Sequence, residues 1–380
     1  MKVSELKITD IKTTTDKEDL VFINVDEEPF RIYGVYRDGE CYRRIPASVA
    51  DRCNDFLKSY KLTTAGGRVR FVTNSECITV RVVLTGAVRK DIMTDATASG
   101  VDVYLGENYF ATVKNNVIFN AGTGERLPGV LESSGGGVAL PPDGVDIAFE
   151  AAVGLGDTKG QTVTLNMPVF NGVKAMYVGL KKDAEISHAP DYSLEKPIVF
   201  YGSSITHGAC SSRPGMIYEN QLSRELDFNY INLGFAGGAK ADRAISEYIA
   251  DLDMSIFVYD YDHNAPDAEY LEQTHERMFL EFRAKNPDIP VLMLSRPYGK
   301  LTADVIRRQE IIKKTYENAK MRGDENVYLV LGSEFFPEWL GGDFSVDGCH
   351  PNDIGFMYMK EAIAPTLKKM IEKVKARGVR

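Results

Sequence analysis

The sequence predicts two domains of different class: an all-β jelly-roll or β-sandwich domain over 1–190, then an α/β domain with a parallel sheet over 191–380. Three observations lead there. A chain of 380 residues is long enough for two hydrophobic cores. Up to about residue 190, apolar residues come in short alternating runs broken by turn residues, the pattern of a sandwich. From Lys196 onward, short apolar runs recur every ~30 residues with amphipathic segments between them, the pattern of right-handed βαβ units.

In the first half, Arg68-Val69-Arg70-Phe71-Val72 alternates polar and apolar, and 77–84 does so in part. Further short strands are expected at 101–105, 138–140, 163–165 and 176–180, separated by breaks such as Ser133-Ser134-Gly135-Gly136-Gly137. A polar stretch over 187–195 containing Pro190 marks the boundary. The second half places strands at 198–201, 230–233, 256–259, 291–294 and 327–331. Helices are expected near 217–226, 240–250, 268–284 and 303–320, with a last one from 354 to about 375.

The composition, 44% hydrophobic and 26% charged, is that of an ordinary globular protein. A formal net charge of -9 argues against nucleic acid or an anionic membrane surface as partner, because both reward clustered Lys and Arg. Five cysteines without a CxxC pair favour free thiols over a disulfide framework or a zinc site. The N-terminus has no apolar leader core and no stretch reaches ~18 apolar residues. The expectation is a cytoplasmic protein, or an exported one if a leader precedes the given sequence.

Two strings carry chemistry. Tyr201-Gly202-Ser203-Ser204-Ile205-Thr206-His207-Gly208 follows the buried run Pro197-Ile198-Val199-Phe200, so Ser204 stands in a glycine-bounded turn at a strand end. Asp347-Gly348-Cys349-His350-Pro351 places a carboxylate three residues before a histidine. A serine hydroxyl is a weak nucleophile until a base removes its proton, and that base needs a third group to fix its tautomer. Ser204, His350 and Asp347 supply those three parts, which points to a serine esterase. Gly237 follows the second strand and Asn264 the third, so the candidates line up where parallel sheets bind ligands. Taken singly, each string also reads as a plain turn, an Asx-turn or a surface loop.

This order of motifs resembles the SGNH (GDSL-type) hydrolase family, over roughly 196–375. The resemblance implies a flavodoxin-like catalytic domain. It makes Ser204 the nucleophile, Gly237 the block-two glycine, Asn264 the block-three asparagine, and Asp347 with His350 the block-five pair. It also implies an oxyanion hole made of the N–H groups of Ser204 and Gly237 and the Asn264 side-chain amide. Two departures stand out: Ser203 occupies the place of the usual Asp, and block three reads Asp262-His263-Asn264-Ala265-Pro266. Gly100-Val101-Asp102-Val103-Tyr104 is similar to the Gly-x-Asp-Leu-Tyr signature of a β domain that precedes some bacterial SGNH hydrolases. The layout further resembles bacterial carbohydrate acetylesterases that join a jelly roll to an SGNH domain.

His207 and His263 flank the candidate nucleophile and oxyanion asparagine; each is read as a substrate contact or a structural residue. Arg213 and Arg296 fall near the substrate end of the sheet and suit a carboxylate or sugar hydroxyls, or structural ion pairs. Trp339, the single tryptophan, is read as a sugar platform or a packing residue. His188 and His275 read as ordinary surface or helix residues. The expected function is hydrolysis of small acyl esters, above all acetyl esters of carbohydrates, with no metal or organic cofactor. The alternatives are a lipid or thioester hydrolase and a non-catalytic carbohydrate-binding protein. Oligomeric state is not legible.

Overall fold

The computed structural model describes residues 1–380 except 12, 16–18, 89–91, 115–116, 128–137, 140–144, 298–300 and 380, together with the side chains of 87, 88, 138 and 139. The expected glycine-rich break at 133–137 and Leu140 lie outside the described residues. The chain forms two compact units. One comprises Met1–Arg44, Leu62–Asp191 and Ser212–Gly215; the other comprises Ile45–Lys61, Tyr192–Ser211 and Met216–Arg380. Residues 45–61, which the sequence reading grouped with the β domain, thus pack in the second unit, and 212–215 pack in the first.

The first unit holds two large antiparallel sheets beside two two-stranded ones. One runs in the order Leu20–Asn24, Val173–Lys181, Cys77–Leu84, Ile147–Gly154, Phe119–Asn120. The other runs Ile186–Ser187, Arg68–Thr73, Thr162–Asn166, Val101–Leu105, Asn108–Val113, with Arg31–Tyr33 also pairing on Arg68–Thr73. Alternate residues of both sheets, among them Val80, Val82 and Val178 from one and Phe71, Val103 and Leu165 from the other, share one buried core. This is the sandwich that the period-two pattern predicted. Ile147–Gly154 was not anticipated, because its Glu-Ala-Ala centre carries little strand propensity. Burial of Ile147 and Phe149 in the core overrides that.

In the second unit five parallel strands stand in the order Phe228–Gly234, Leu194–Gly202, Ile256–Asp260, Val291–Leu294, Val327–Val330. That is the 2-1-3-4-5 order of flavodoxin-like sheets. Ile256–Asp260 and Val291–Leu294 are buried at every position, as expected of strands covered on both faces. One face packs against helices Arg243–Asp251, Ala268–Lys285 and Ala303–Met321. Ile45, Val49 and Leu57 of the inserted segment join that same core. The other face packs against Tyr218–Leu226 and Asp353–Ala376. The order reverses at Leu194–Gly202, which has the second strand on one side and the third on the other. The crevice beyond its carboxyl end is where such sheets bind ligands. No helix among the described residues is long and apolar enough to cross a membrane.

Candidate active site

Ser204 opens a single helical turn, Ser204–His207, at the end of the first parallel strand. Ser203 caps that turn, its Oγ accepting the Ile205 N–H at 3.1 Å. The serine that departs from the usual Asp therefore supplies local support to the turn itself. Gly208, at φ 99°, closes it. The turn sits directly on the neighbouring strand: a Cβ on Gly234 would lie 2.2 Å from the His207 backbone nitrogen. Only a glycine permits that approach.

Ser204 Oγ lies 2.8 Å from His350 Nε2, and His350 Nδ1 lies 2.7 Å from Asp347 Oδ2. Asp347 Oδ1 accepts two further bonds, from the His350 N–H at 2.8 Å and the Cys349 N–H at 3.0 Å. Partial burial pushes the Asp347 carboxyl up, but these donors and the imidazole outweigh it and hold it below the usual carboxylate value. A charged Asp347 fixes the proton on Nδ1, so the Nε2 lone pair faces Ser204. This is a nucleophile–base–orienter relay in hydrogen-bonding geometry.

Gly237 adopts φ +69°, which turns the chain after the second strand. Three bonds fix that turn: Phe235 N–H donates to Gly202 O (2.9 Å), Gly238 N–H to Phe235 O (2.9 Å), and Ala236 N–H to His207 Nδ1 (3.3 Å). Asn264 Oδ1 accepts the Ala239 N–H at 3.3 Å, leaving its amide NH2 for another acceptor. Among the described residues, the N–H groups of Ser204 and Gly237 and Asn264 Nδ2 meet no intramolecular acceptor. Uncommitted donors of this kind, just beyond the ends of parallel strands, are what an oxyanion requires.

The flanking residues differ from a simple reading as substrate contacts. His207 is fully buried, its ring edge-on to Tyr60 at 5.1 Å, and it holds Ala236; it is not available to a substrate. Arg213 is also committed. Its Nη1 reaches the buried Asp102 Oδ2 at 3.0 Å and Tyr104 Oη at 2.6 Å, and its guanidinium stacks on Tyr109 at 3.7 Å. The Asp and Tyr of the Gly-x-Asp-Leu-Tyr-like string thus grip Arg213, and Asp102 also accepts the Gly215 N–H at 2.6 Å. Burying a carboxylate leaves it in need of such a partner, and a basic residue 111 positions away supplies it.

His263 accepts from Arg296 Nη1 at Nδ1 (2.6 Å) and faces Cys349 Sγ through Nε2 (3.0 Å). Burial, and then the Arg296 charge, push its pKa down to about 3, so it is neutral and its Nε2–H donates to the thiol. Arg296 and His263 therefore brace Cys349, inside the loop that carries Asp347 and His350. Trp339 is 76% exposed on the short turn Glu338–Leu340 and packs little against the described residues of its own chain. His188 lies in the first unit against Pro29 O. His275 lies on the helix Ala268–Lys285, as read, but on its buried side, stacked on Tyr259 at 4.5 Å, with its pKa pushed down to about 3 by burial.

A supporting layer escaped the sequence reading. Asp260 Oδ2 accepts from Thr206 Oγ1 at 2.8 Å, directly beneath the Ser204 turn. Burial, reinforced by the nearby Asp262 charge, pushes the Asp260 carboxyl up to about 7. Its signal was the paired acids of Asp260-Tyr261-Asp262 at a strand end. Asp347, Cys349 and His350 are also the one group of metal-type side chains found together among the described residues. Within that group His350 bridges the other relay members, bonded to Asp347 through Nδ1 and to Ser204 through Nε2.

Comparisons with known proteins bear on the family and the fold. Residues 195–368 match the GDSL-like lipase/acylhydrolase family, and residues 20–124 match the GxDLY domain, the N-terminus of SGNH-hydrolase-type esterases. No curated protein matches the sequence significantly. A solved structure described as a GDSL-like lipase from Bacteroides ovatus is 26% identical, with TM-score 0.73, covering 93% of this chain and 98% of that one. A salicylyl-acyltransferase from a tetracycline biosynthetic pathway shares the fold at 18% identity and TM-score 0.69, over 96% of this chain and 100% of that one. A family two carbohydrate esterase from Clostridium thermocellum shares it at 13% identity and TM-score 0.58, over 90% of this chain and 98% of that one. Over 195–368 this chain is thus similar to the GDSL-like lipase/acylhydrolase family, and over 20–124 to the GxDLY domain found ahead of SGNH-hydrolase-type esterases.

Proposed function

We propose that this protein removes small acyl groups, above all acetyl, from carbohydrate esters by a Ser-His-Asp acyl-enzyme mechanism. His350 Nε2 takes the proton from Ser204 Oγ as the oxygen attacks the ester carbonyl. The imidazolium formed is stabilised by Asp347 and returns the proton to the departing alcohol. Water then repeats the sequence on the acyl-enzyme and frees the acid. The Ser204 and Gly237 N–H groups and the Asn264 amide hold the oxyanion, each worth ~10²–10³ in rate by analogy with other such donors. The observation that carries the reading is the unbroken 2.8 and 2.7 Å relay from Ser204 through His350 to Asp347.

Two observations support a carbohydrate substrate. The shared fold includes a family two carbohydrate esterase, and exposed Trp339 is a suitable sugar platform. Arg213 is committed to Asp102, and Arg296 reaches His263 through Nη1, so of the two arginines only the rest of the Arg296 guanidinium is offered to a substrate. A nitrophenyl acetate-to-octanoate series with wild type and Ser204→Ala tests the chemistry, and acetate release from acetylated xylan and mannan tests the substrate. Acetate-preferring turnover lost in Ser204→Ala is expected. Turnover that survives in the variant sinks the nucleophile assignment, and octanoate preference favours the lipid-hydrolase alternative.

A further inference from the structure

The outer face of the Val173–Lys181 sheet carries a second feature that the hydrolase chemistry does not use. In the sheet register Arg81 stands opposite Glu150 on one side and Tyr177 on the other, all three facing away from the sandwich core. Around them Val83, Phe119 and Ala148 form a small apolar cluster, with Ala175 and Tyr177 packed on it. A sheet face turned from its core is normally polar and flat. Here it is a cleft of about 580 Å3, walled by the Thr9–Ile11 stretch and by the hairpin bearing Arg37 and Glu40. That volume falls in the ~300–1,000 Å3 range of small-molecule sites. Every lining residue belongs to the first unit.

The chemistry of the walls narrows the ligand. Three acids, Asp10, Glu40 and Asp146, face three bases, Arg37, Arg81 and Lys174, so the cleft has no net charge to select an ion. The bases are committed. Arg81, 2% exposed, pairs with Glu150 at 3.1 Å and donates to Ala121 O at 2.6 Å; Lys174 pairs with Asp146; Arg37 donates to Lys174 O. An anion would therefore meet no available cation. The Asp10 and Glu40 carboxylates and the Tyr177 hydroxyl have no protein hydrogen-bond or ion-pair partner among the described residues. The cleft thus offers uncommitted acceptors at its rim and a partly apolar floor of Val83, Ala175 and the Tyr177 ring. A ligand that donates hydroxyl hydrogens at its edge and presents C–H groups on its face fits that arrangement.

We propose that this cleft binds a neutral saccharide, independently of the hydrolytic site. The binding is non-covalent, and Tyr177 and Glu40 are its principal contacts. Calorimetric titration of the full chain with cellohexaose, xylohexaose and mannohexaose, none of which carries an ester, tests it. At least one should bind wild type and Ser204→Ala equally. Tyr177→Ala and Glu40→Ala should each weaken that binding about tenfold or more, with nitrophenyl acetate hydrolysis and melting temperature near wild type. Glu40 stands at an exposed hairpin tip, so its variant reports on binding even if Tyr177→Ala loosens the sheet. No binding by any of the three sugars overturns the proposal, as does binding that stays within threefold of wild type in both cleft variants. Ester hydrolysis absent from wild type, or retained in Ser204→Ala, would count against the esterase mechanism and leave the cleft result standing.

Discussion

Replacing Asp347 with Asn tests the relay at its least buried member. Asn has nearly the same shape, and the Asp347 oxygen that accepts the His350 and Cys349 N–H groups at 2.8 and 3.0 Å would be kept as the amide carbonyl. That anchoring forces the amide NH2 toward His350 Nδ1. Nδ1 must then accept, the ring proton moves to Nε2, and the group facing Ser204 Oγ at 2.8 Å becomes a donor instead of a base. The variant also loses the charge that stabilises the imidazolium. Opposite charges about 4 Å apart at an effective dielectric near 20 interact by ~4 kcal/mol, and ~1.4 kcal/mol is tenfold in rate. The Asp347 side chain is 32% exposed, so solvent reduces that term. The tautomer switch acts in the same direction, and a loss of about 10³-fold in kcat/KM is expected, below the ~10⁴ seen when such an aspartate is deeply buried. The assay is steady-state hydrolysis of nitrophenyl acetate, with thermal melting as the control for folding. A loss below tenfold in a normally folded Asp347→Asn would refute the tautomer argument and the assignment of Asp347.

Three further outcomes are expected. Asn264→Ala removes one uncommitted donor together with the bond to Ala239, and should lower kcat ~10²-fold with little change in KM; an equal rise in KM alone would place Asn264 in ground-state binding. Asp260, raised to about 7 in the folded chain from an ordinary 3.8, holds its proton more tightly when folded. Its contribution to stability is present below the unfolded value and is lost as pH rises from about 4 through 7, so the melting temperature should fall between pH 5 and 8 and fall less in Asp260→Asn. Arg213→Met should leave Asp102 buried without its cation and lower the melting temperature by several degrees, with Asp102→Asn in the same chain recovering part of the loss; independent, additive effects would show that the pair is not coupled.

The second unit was the more legible half because its signals are local. A strand covered on both faces must be apolar throughout, and runs such as Ile256–Tyr259 announce themselves; the candidate residues then follow from standing just beyond those runs. Ser204, His350 and Asp347 were readable because base and orienter lie three residues apart in one loop. What stayed hidden depends on distant pairing. Nothing near Arg213 indicates that its partner is Asp102, and nothing near His207 shows that its ring nitrogen is needed by the Ala236 N–H. Likewise, Val49 and Leu57 sit on two short helices with too few turns to display a period, and Ile45 just ahead of the first, so their place over the parallel sheet emerges only from packing.

That placement has a consequence for how the protein is made. The chain passes between its two units at residues 44/45, 61/62, 191/192, 211/212 and 215/216, so neither unit is one continuous stretch. During synthesis the Ile45–Lys61 segment emerges about 130 residues before the first strand of the sheet it will cover, a wait of roughly 7–26 s at ~5–20 residues per second. Through that interval its apolar side chains have no surface to bury against. A fragment that begins at the parallel sheet lacks them permanently, along with Phe56, which lies beside Gly237. A hydrolase half cut at residue 192 would therefore lack part of its own core, and is expected to melt below the full chain.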